Sequence, residues 1–165
     1  MEYDPIKRSL GKVFDRTPFL RKTFYGLLDL LLLRAWHVHK ELKSWEGWGR
    51  EDLKVLDGGA GFGQYTYWMN RSNPSWRITA IDVKEEQVAD CNKFFEEIAS
   101  NENVRFQVGD LTKYLQPLTF DLIVCVDVME HIEEDVQVFK NYHNSMKAGA
   151  MLLISTPSDQ GGSGL

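Results

Sequence analysis

The stretch Lys54-Val55-Leu56-Asp57-Gly58-Gly59-Ala60-Gly61-Phe62-Gly63-Gln64-Tyr65 decides how this chain is read. A short apolar run ends in an acid and passes into Gly59, Gly61 and Gly63, glycine at every second position. Glycine has no Cβ and enters left-handed backbone without penalty. A glycine turn just past a strand therefore lets the main chain approach a ligand that any side chain would obstruct. The spacing predicts a nucleotide-handling turn between a strand and a helix.

Beyond this turn, short β runs alternate with helical stretches, the form a parallel α/β sheet takes in sequence. Strands are expected at 54–57, 77–82, 104–108, 120–126 and 150–155. The fourth, Phe120-Asp121-Leu122-Ile123-Val124-Cys125-Val126, is apolar on both faces beyond Asp121, as suits a central strand covered by helices on either side. Val88, Cys91, Phe95 and Ile98 predict the inner face of one helix, and Val136, Phe139, His143 and Met146 that of another. Asn73-Pro74 and Lys147-Ala148-Gly149 are turn signals before the next strands, and Gly161-Gly162-Ser163-Gly164 reads as a loose tail.

Before the turn, apolar residues recur at Leu20, Phe24, Leu27, Leu31, Ala35, Val38, Leu42 and Trp45, one helical stripe that Gly26 is placed to bend or divide. Lys22, Arg34, His37, Lys40 and Lys43 give the opposite side a basic character. Two uses of such a helix stand open: packing on the domain, or capping a substrate pocket and resting on a membrane surface or partner. Glu46-Gly47-Trp48-Gly49-Arg50 is the natural hinge between this helix and the first strand.

With 165 residues, 43% of them hydrophobic, the chain suits one core rather than two. A net charge of −5 gives no global attraction to phosphate backbones, which disfavours nucleic acid as the main substrate. Cys91 and Cys125 stand outside any metal-type pair and are expected as free buried thiols in a reducing cytoplasm. No secretion signal is visible among the first residues, where Glu2, Asp4, Lys7 and Arg8 stand, and the leucine-rich run 27–33 is shorter than the ~20 residues a bilayer requires.

A G-x-G-x-x-G fingerprint counted from Gly59 or Gly61 would need glycine where Gln64 or Thr66 stands, so a nicotinamide dinucleotide site is disfavoured. A phosphate-binding P-loop fails for want of a lysine followed by serine or threonine. What remains is acid-x-Gly-x-Gly-x-Gly. Asp82 closes the next strand about 20 positions on, where an acid accepts from two vicinal ribose hydroxyls. Asp110 follows the third strand, and one crevice at the strands' carboxyl ends would gather all three acids. Taken singly, each is equally readable as a loop turn or a helix cap.

From 53 to 157 the chain resembles the class I S-adenosylmethionine-dependent methyltransferases, on four blocks in order: VLDGGAGFG, ITAIDVKEEQV, FQVGDLTKYL with FDLIVCVDVMEHI, and MKAGAMLLISTP. The resemblance implies a Rossmann-like, doubly wound, mainly parallel sheet flanked by helices, with the N-terminal residues 1–50 as a helical cap and 51–165 as the cofactor-binding domain. It implies S-adenosylmethionine as cofactor. Gly59, Ala60, Gly61 and Gly63 would pass beneath its methionine part and Asp57 would lie near its amino group. Asp82, with Val83 beside it, would hold the ribose. Asp110 and the backbone of Leu111 would recognise adenine, and Asp127 would approach the methionine end.

A sulfonium methyl group is already activated, so positioning of an acceptor O, N, C or S atom and exclusion of water do most of the chemistry. His131 is the candidate general base for a hydroxyl acceptor, and its other reading is a helix-start residue that supports the fold. Asp127, Glu130 and His131 also look like the acid-x-x-Glu-His element that some O-methyltransferases and small-RNA methyltransferases use for a divalent ion. Aspartate replaces the usual first glutamate here, and Glu-His-Ile also occurs in metal-free relatives, so no metal is assigned.

Enzymes of this type continue through two further strands, so the sequence is expected to be C-terminally incomplete, with Ile123, Val124 and Leu153 more exposed than usual or covered by a second copy. The expected function is methyl transfer to a small, lipophilic or aromatic acceptor in the cytoplasm, a preference drawn from Phe19, Phe24, Trp36 and Trp45 in the cap. The competing readings are a nicotinamide-dependent oxidoreductase and an inactive cofactor-binding or regulatory domain.

Overall fold

A computed structural model describes residues 17–156 apart from 32 and 101; side chains of 28–33 also fall outside that description. The side chain at the stripe position Leu31, together with Pro157 and the tail at Gly161-Gly162-Ser163-Gly164, thus lies outside that description.

Two helices, α1 (Pro18–Leu31) and α2 (Leu33–Ser44), precede β1 (Lys54–Gly58), α3 (Gln64–Ser72), β2 (Arg77–Asp82), α4 (Glu85–Glu97), β3 (Val104–Val108), β4 (Phe120–Val126), α5 (Asp135–Ser145) and β5 (Met146–Ser155). The helix α1 runs through Gly26 without interruption. All strand pairs are parallel, and the order across the sheet is β3-β2-β1-β4-β5. Strand order reverses between β1 and β4, which opens a crevice at their carboxyl ends. This is the doubly wound α/β architecture expected from the alternating pattern.

Alternation along the strands divides the core in two. Val55, Ile78, Val104, Phe106, Leu122 and Val124 face one side, under α1 to α4. Leu56, Ile81, Ile123 and Cys125 face the other and meet Val138 and Tyr142 of α5. Phe24, Tyr25, Val38 and Leu42 of the N-terminal helices belong to the first of these clusters, so their inner face is part of the same core as the sheet. An aromatic seam extends it. His39 stacks on Trp68 with ring centroids 3.7 Å apart, Trp48 stacks on Trp68 at 4.9 Å, and Trp45 and Trp48 both meet Trp76 edge-on. The expected hinge at 46–50 is therefore a packed turn, closed by Trp48 N–H to the Trp45 carbonyl and Arg50 N–H to the Gly47 carbonyl.

Three expectations need correction. Ile123 and Val124 are fully buried because β4 lies between β1 and β5 and both of its faces are covered, and Leu153 of the edge strand β5 is nearly buried within the first cluster. The inner face of α5 is Val138, Asn141, Tyr142 and Ser145, while Val136 and Phe139 point to solvent. Polar Asn141 is drawn inward because its Nδ2 donates to the carbonyls of Leu111 and Thr112, each at 2.9 Å, and this rotates the helix away from its purely apolar stripe. Lastly, Lys147-Ala148-Gly149 does not precede β5 but lies within it. Phe120 pairs with Met146 and Leu122 with Met151, so a bulge holds these residues, with Gly149 at φ 77° and Lys147 Nζ 2.8 Å from Asp121.

The α5 assignment has a direct consequence: Val138→Ala should cost about 2 kcal/mol of unfolding free energy through lost burial and a residual cavity. Val136→Ala should stay within about 0.5 kcal/mol. Urea denaturation of both variants checks the difference, and equal costs would refute the observed helix face.

Candidate functional site

Strand pairing brings the ends of four strands side by side. Asp57 of β1 is in register with Ala80 of β2 and with Val124 of β4, and Asp82 with Val108 of β3. Asp57, Asp82, Asp110 and Asp127 therefore all stand at one edge of the sheet. The glycine turn crosses that edge. Gly59 and Ala60 both donate their N–H to the Ile81 carbonyl, at 2.7 and 3.0 Å, and Gly61 donates to Asp82 Oδ2 at 2.9 Å.

The three glycines of the turn all have positive φ, 79° at Gly59, 52° at Gly61 and 79° at Gly63. Their surroundings differ. A Cβ at Gly59 would strike the Val128 side chain, and one at Gly63 would come within 2.9 Å of the Phe106 ring. These two glycines are required by the protein's own packing. At Gly61 a Cβ would meet nothing within 4 Å. Of the three, Gly61 alone faces open space, and that is where the turn can receive a ligand.

Around this space the acids are built differently. Asp57 is buried and accepts a short hydrogen bond from Thr66 Oγ1 in the first turns of α3. Burial pushes its carboxyl up from 3.8 to about 6; the Thr66 hydrogen bond opposes that shift and the nearby Asp82 charge adds to it. Asp82 is half-buried and serves as a bracket, Oδ2 on Gly61 N–H and Oδ1 on Lys84 N–H, both at 2.9 Å. Val83 beside it is 66% exposed, an apolar side chain left in solvent at the crevice rim.

Asp110 closes a turn rather than standing free. Its Oδ1 accepts from Thr112 N–H at 2.9 Å and from Thr112 Oγ1 at 2.7 Å, and these bonds hold its carboxyl below the usual carboxylate range. The Leu111 side chain is buried against Gly58, and its carbonyl is held by Asn141. Asp127 adopts φ 58°, a conformation an aspartate tolerates but that costs about 1–3 kcal/mol, and it forms an ion pair with Arg34 of α2. That pair raises the Arg34 pKa.

His131 lies on a one-turn 3-10 helix, Met129–His131, with its side chain exposed. Glu130 accepts from Thr156 Oγ1 at 3.1 Å. Among the described residues no three His, Cys, Asp or Glu side chains are grouped as a metal ion requires. Asp127 is turned to Arg34 and Glu130 to Thr156, so the acid-x-x-Glu-His element is dispersed. Cys91 and Cys125 are both buried.

Four contributors escaped the motif reading: Thr66, Arg34, Arg21 and Tyr25. Thr66 lies close behind the turn in sequence and, as a hydroxyl on the first turns of the next helix, was within reach of inference. The other three lie on the N-terminal helices, and nothing local in the sequence says which strand end each meets.

Residues 56–152, more than half of the chain, match the family model described as methyltransferase domain. The chain belongs to that family. The ubiquinone biosynthesis O-methyltransferase of Neisseria meningitidis is 28% identical over 113 residues, 66% of this chain and 47% of that protein. Malonyl-[acyl-carrier protein] O-methyltransferase 2 of Ilyobacter polytropus is 26% identical over 106 residues, 64% of this chain and 40% of that protein. The chain thus spans less than half the length of these two relatives. A crystal structure of a putative S-adenosyl-L-methionine-dependent methyltransferase from Methanococcus maripaludis superposes with a TM-score of 0.66 at 16% identity, covering 83% of this chain and 62% of that one. It confirms the fold.

The Asp57 environment predicts a pH signature. The folded protein binds a proton at Asp57 up to about pH 6, whereas the unfolded chain releases it near 3.8. Stability from this group is therefore present below about pH 4 and is lost as pH rises to about 6, on the order of 3 kcal/mol at 1.36 kcal/mol per unit. Asp57→Asn should remove that component, so the difference in unfolding free energy between variant and parent should grow in the variant's favour from pH 4 to 7. A difference that is flat with pH would refute the assignment.

Proposed function

We propose that this chain carries the cofactor-binding half of an S-adenosylmethionine-dependent methyltransferase that acts in the cytoplasm on a small acceptor. In this reading residues 1–50, described from 17 on, are assigned to the cap and 51–165, described to 156, to the cofactor-binding domain. The observation that carries this reading is the open space over Gly61, bracketed by a buried carboxylate at Asp57 and a half-buried one at Asp82. Family membership supports the activity. Among the described residues no helix is long and apolar enough to cross a membrane.

The residues present suit the cofactor. Asp57 is a buried carboxylate, and a ligand ammonium would stabilise its ionised form. The oxygens of Asp82 each take one backbone N–H and keep lone pairs for two ribose hydroxyls. Val83, exposed beside Asp82, offers an apolar surface to a flat ring, with Asp110 and the Leu111 backbone at the next strand end. Gly59, Ala60, Gly61 and Gly63 supply the floor, and Asp127 the wall toward the methionine end. When bound, the sulfonium supplies an already activated methyl group. The chain's own work is to orient the acceptor against it and to exclude water. The O-methyltransferase names of the two relatives favour an oxygen acceptor. For a hydroxyl, His131 is the group available to take the proton, exposed on the segment that follows Asp127.

Calorimetry with S-adenosylhomocysteine tests this. Parent protein should bind, and Gly61→Ala should lose at least tenfold in affinity while its stability falls by only about 1–2 kcal/mol for the left-handed backbone. A folded parent without affinity for either S-adenosylhomocysteine or S-adenosylmethionine would sink the proposal. Binding should also weaken as pH falls through about 6, because a protonated Asp57 no longer offers the ligand ammonium a negative charge. An affinity that does not change between pH 5 and 8 would remove Asp57 from the site.

A further inference from the structure

The outer side of the glycine turn is gripped by a residue that lies some forty positions upstream. Arg21 of α1 is 5% exposed, and its guanidinium sits on the Phe94 ring, 4.9 Å from the centroid. Its Nη2 donates to the Phe62 carbonyl at 3.1 Å and lies 2.9 Å from Cys91 Sγ. Its Nη1 donates to the Asp90 carbonyl at 3.2 Å, and its Nε to the Tyr25 hydroxyl at 2.9 Å. The Tyr25 hydroxyl in turn donates to the same Phe62 carbonyl. Cys91 Sγ completes the arrangement 3.6 Å from the Gly61 carbonyl.

These contacts fix the peptide planes on which the turn's inner surface depends. Gly61 points its N–H inward to Asp82 and its carbonyl outward to Cys91, and the next carbonyl, Phe62, is held outward by two donors from α1. A loop with three positive-φ glycines has many accessible conformations, and ordering it on ligand binding would cost about 1–2 kcal/mol per residue. Donors that hold it in the ligand-free protein remove that cost beforehand.

We propose that Arg21 and Tyr25 are positioning residues: by clasping the Phe62 carbonyl they preorganise the glycine turn, so that docking of α1 and occupancy of the cofactor space are coupled. The inference rests on the proposed cofactor-binding reading and assigns the N-terminal helix a part in it that involves no contact with the ligand. Reciprocity follows from linkage, so a ligand over Gly61 should tighten α1 on the turn to the same degree.

The test uses Tyr25→Phe, which removes one donor and keeps the ring packed between Tyr67 and Phe94, and Arg21→Lys, which keeps the charge but not the fork. Two readouts are taken: S-adenosylhomocysteine affinity by calorimetry, and hydrogen exchange of the turn amides and of α1 in the ligand-free and ligand-saturated protein. Both variants should bind about tenfold more weakly, exchange faster at 61–63 without ligand, and lose the protection that ligand confers on α1 in the parent. Val138→Ala, a destabilised control on the far face of the sheet, should bind as the parent does. Parent-like affinity and turn exchange in Tyr25→Phe would overturn the proposal, as would an affinity loss matched by the Val138→Ala control. If the parent binds no S-adenosylhomocysteine, the cofactor reading fails by itself, while faster exchange at 61–63 in the variants still establishes the clasp and unchanged exchange refutes it.

Discussion

The structure depends on a sharp, side-chain-free exit from β1. The chain must leave the sheet at Gly58, cross beneath the loop after β4 and enter α3 six positions on, and it meets Val128 on one side and Phe106 on the other as it does so. Only glycine fits at Gly59 and Gly63, where a left-handed backbone and close packing coincide. Buried Asp57 secures the start of the path through Thr66 of α3, and Asp82 secures the middle through the Gly61 N–H. Under the proposed function, two of the acids that the ligand would use thus also build the place where it would sit. Removing either changes the turn as well as the binding chemistry, so a loss of affinity in such variants carries both effects.

Much of this was legible in the sequence because it is local. The carboxyl ends of the strands, the glycine spacing and the acid that closes β2 are consequences of period and composition, and they emerged within one residue of the positions read from the pattern, whereas β5 begins four residues earlier than expected. The register that gathers Asp57, Asp82, Asp110 and Asp127 at one edge follows from the parallel α/β class alone. Illegible features arise where a polar contact from elsewhere overrides a local pattern. On α5 the apolar stripe through Val136 and Phe139 gives way to the face with Asn141, since that amide satisfies two loop carbonyls a purely apolar face would leave unpaired. In β5, Gly149 reads as a turn before the strand but serves as a bulge inside it, a distinction set by the pairing with β4. The roles of the glycines were visible only collectively. Which of them faces protein and which faces open space depends on Val128 and Phe106, residues distant in sequence.

Asp127 shows how the same edge carries tension. Its left-handed φ of 58° places a non-glycine residue where the backbone is costly, and its N–H is nevertheless held by the Ser155 carbonyl at 2.9 Å. The ion pair with Arg34 belongs to partly exposed side chains and is screened, so it contributes little to stability. Its significance is positional. It ties α2 to the end of β4 as Arg21 ties α1 to the glycine turn that follows β1, so the two N-terminal helices hold the two loops on either side of the switch point.

This double attachment changes what the aromatic content of the N-terminal segment means. Phe24 is buried in the core, and Trp45 packs against Trp76, so neither is available to an acceptor molecule. Phe19 and Trp36, 76% and 55% exposed, are the two of the four that remain in solvent. Counting aromatics along the sequence therefore overstated the lipophilic surface that the cap presents. The inner faces of these helices are committed to the sheet and to the glycine turn, which leaves their outer faces and the segment around His131 to meet an acceptor under the proposed function. Under the proposed function, helices docked this way would fix the cofactor half firmly and leave the acceptor half to a few exposed side chains. That division is consistent with one methyltransferase core shared by relatives named for ubiquinone biosynthesis and for malonyl-[acyl-carrier protein].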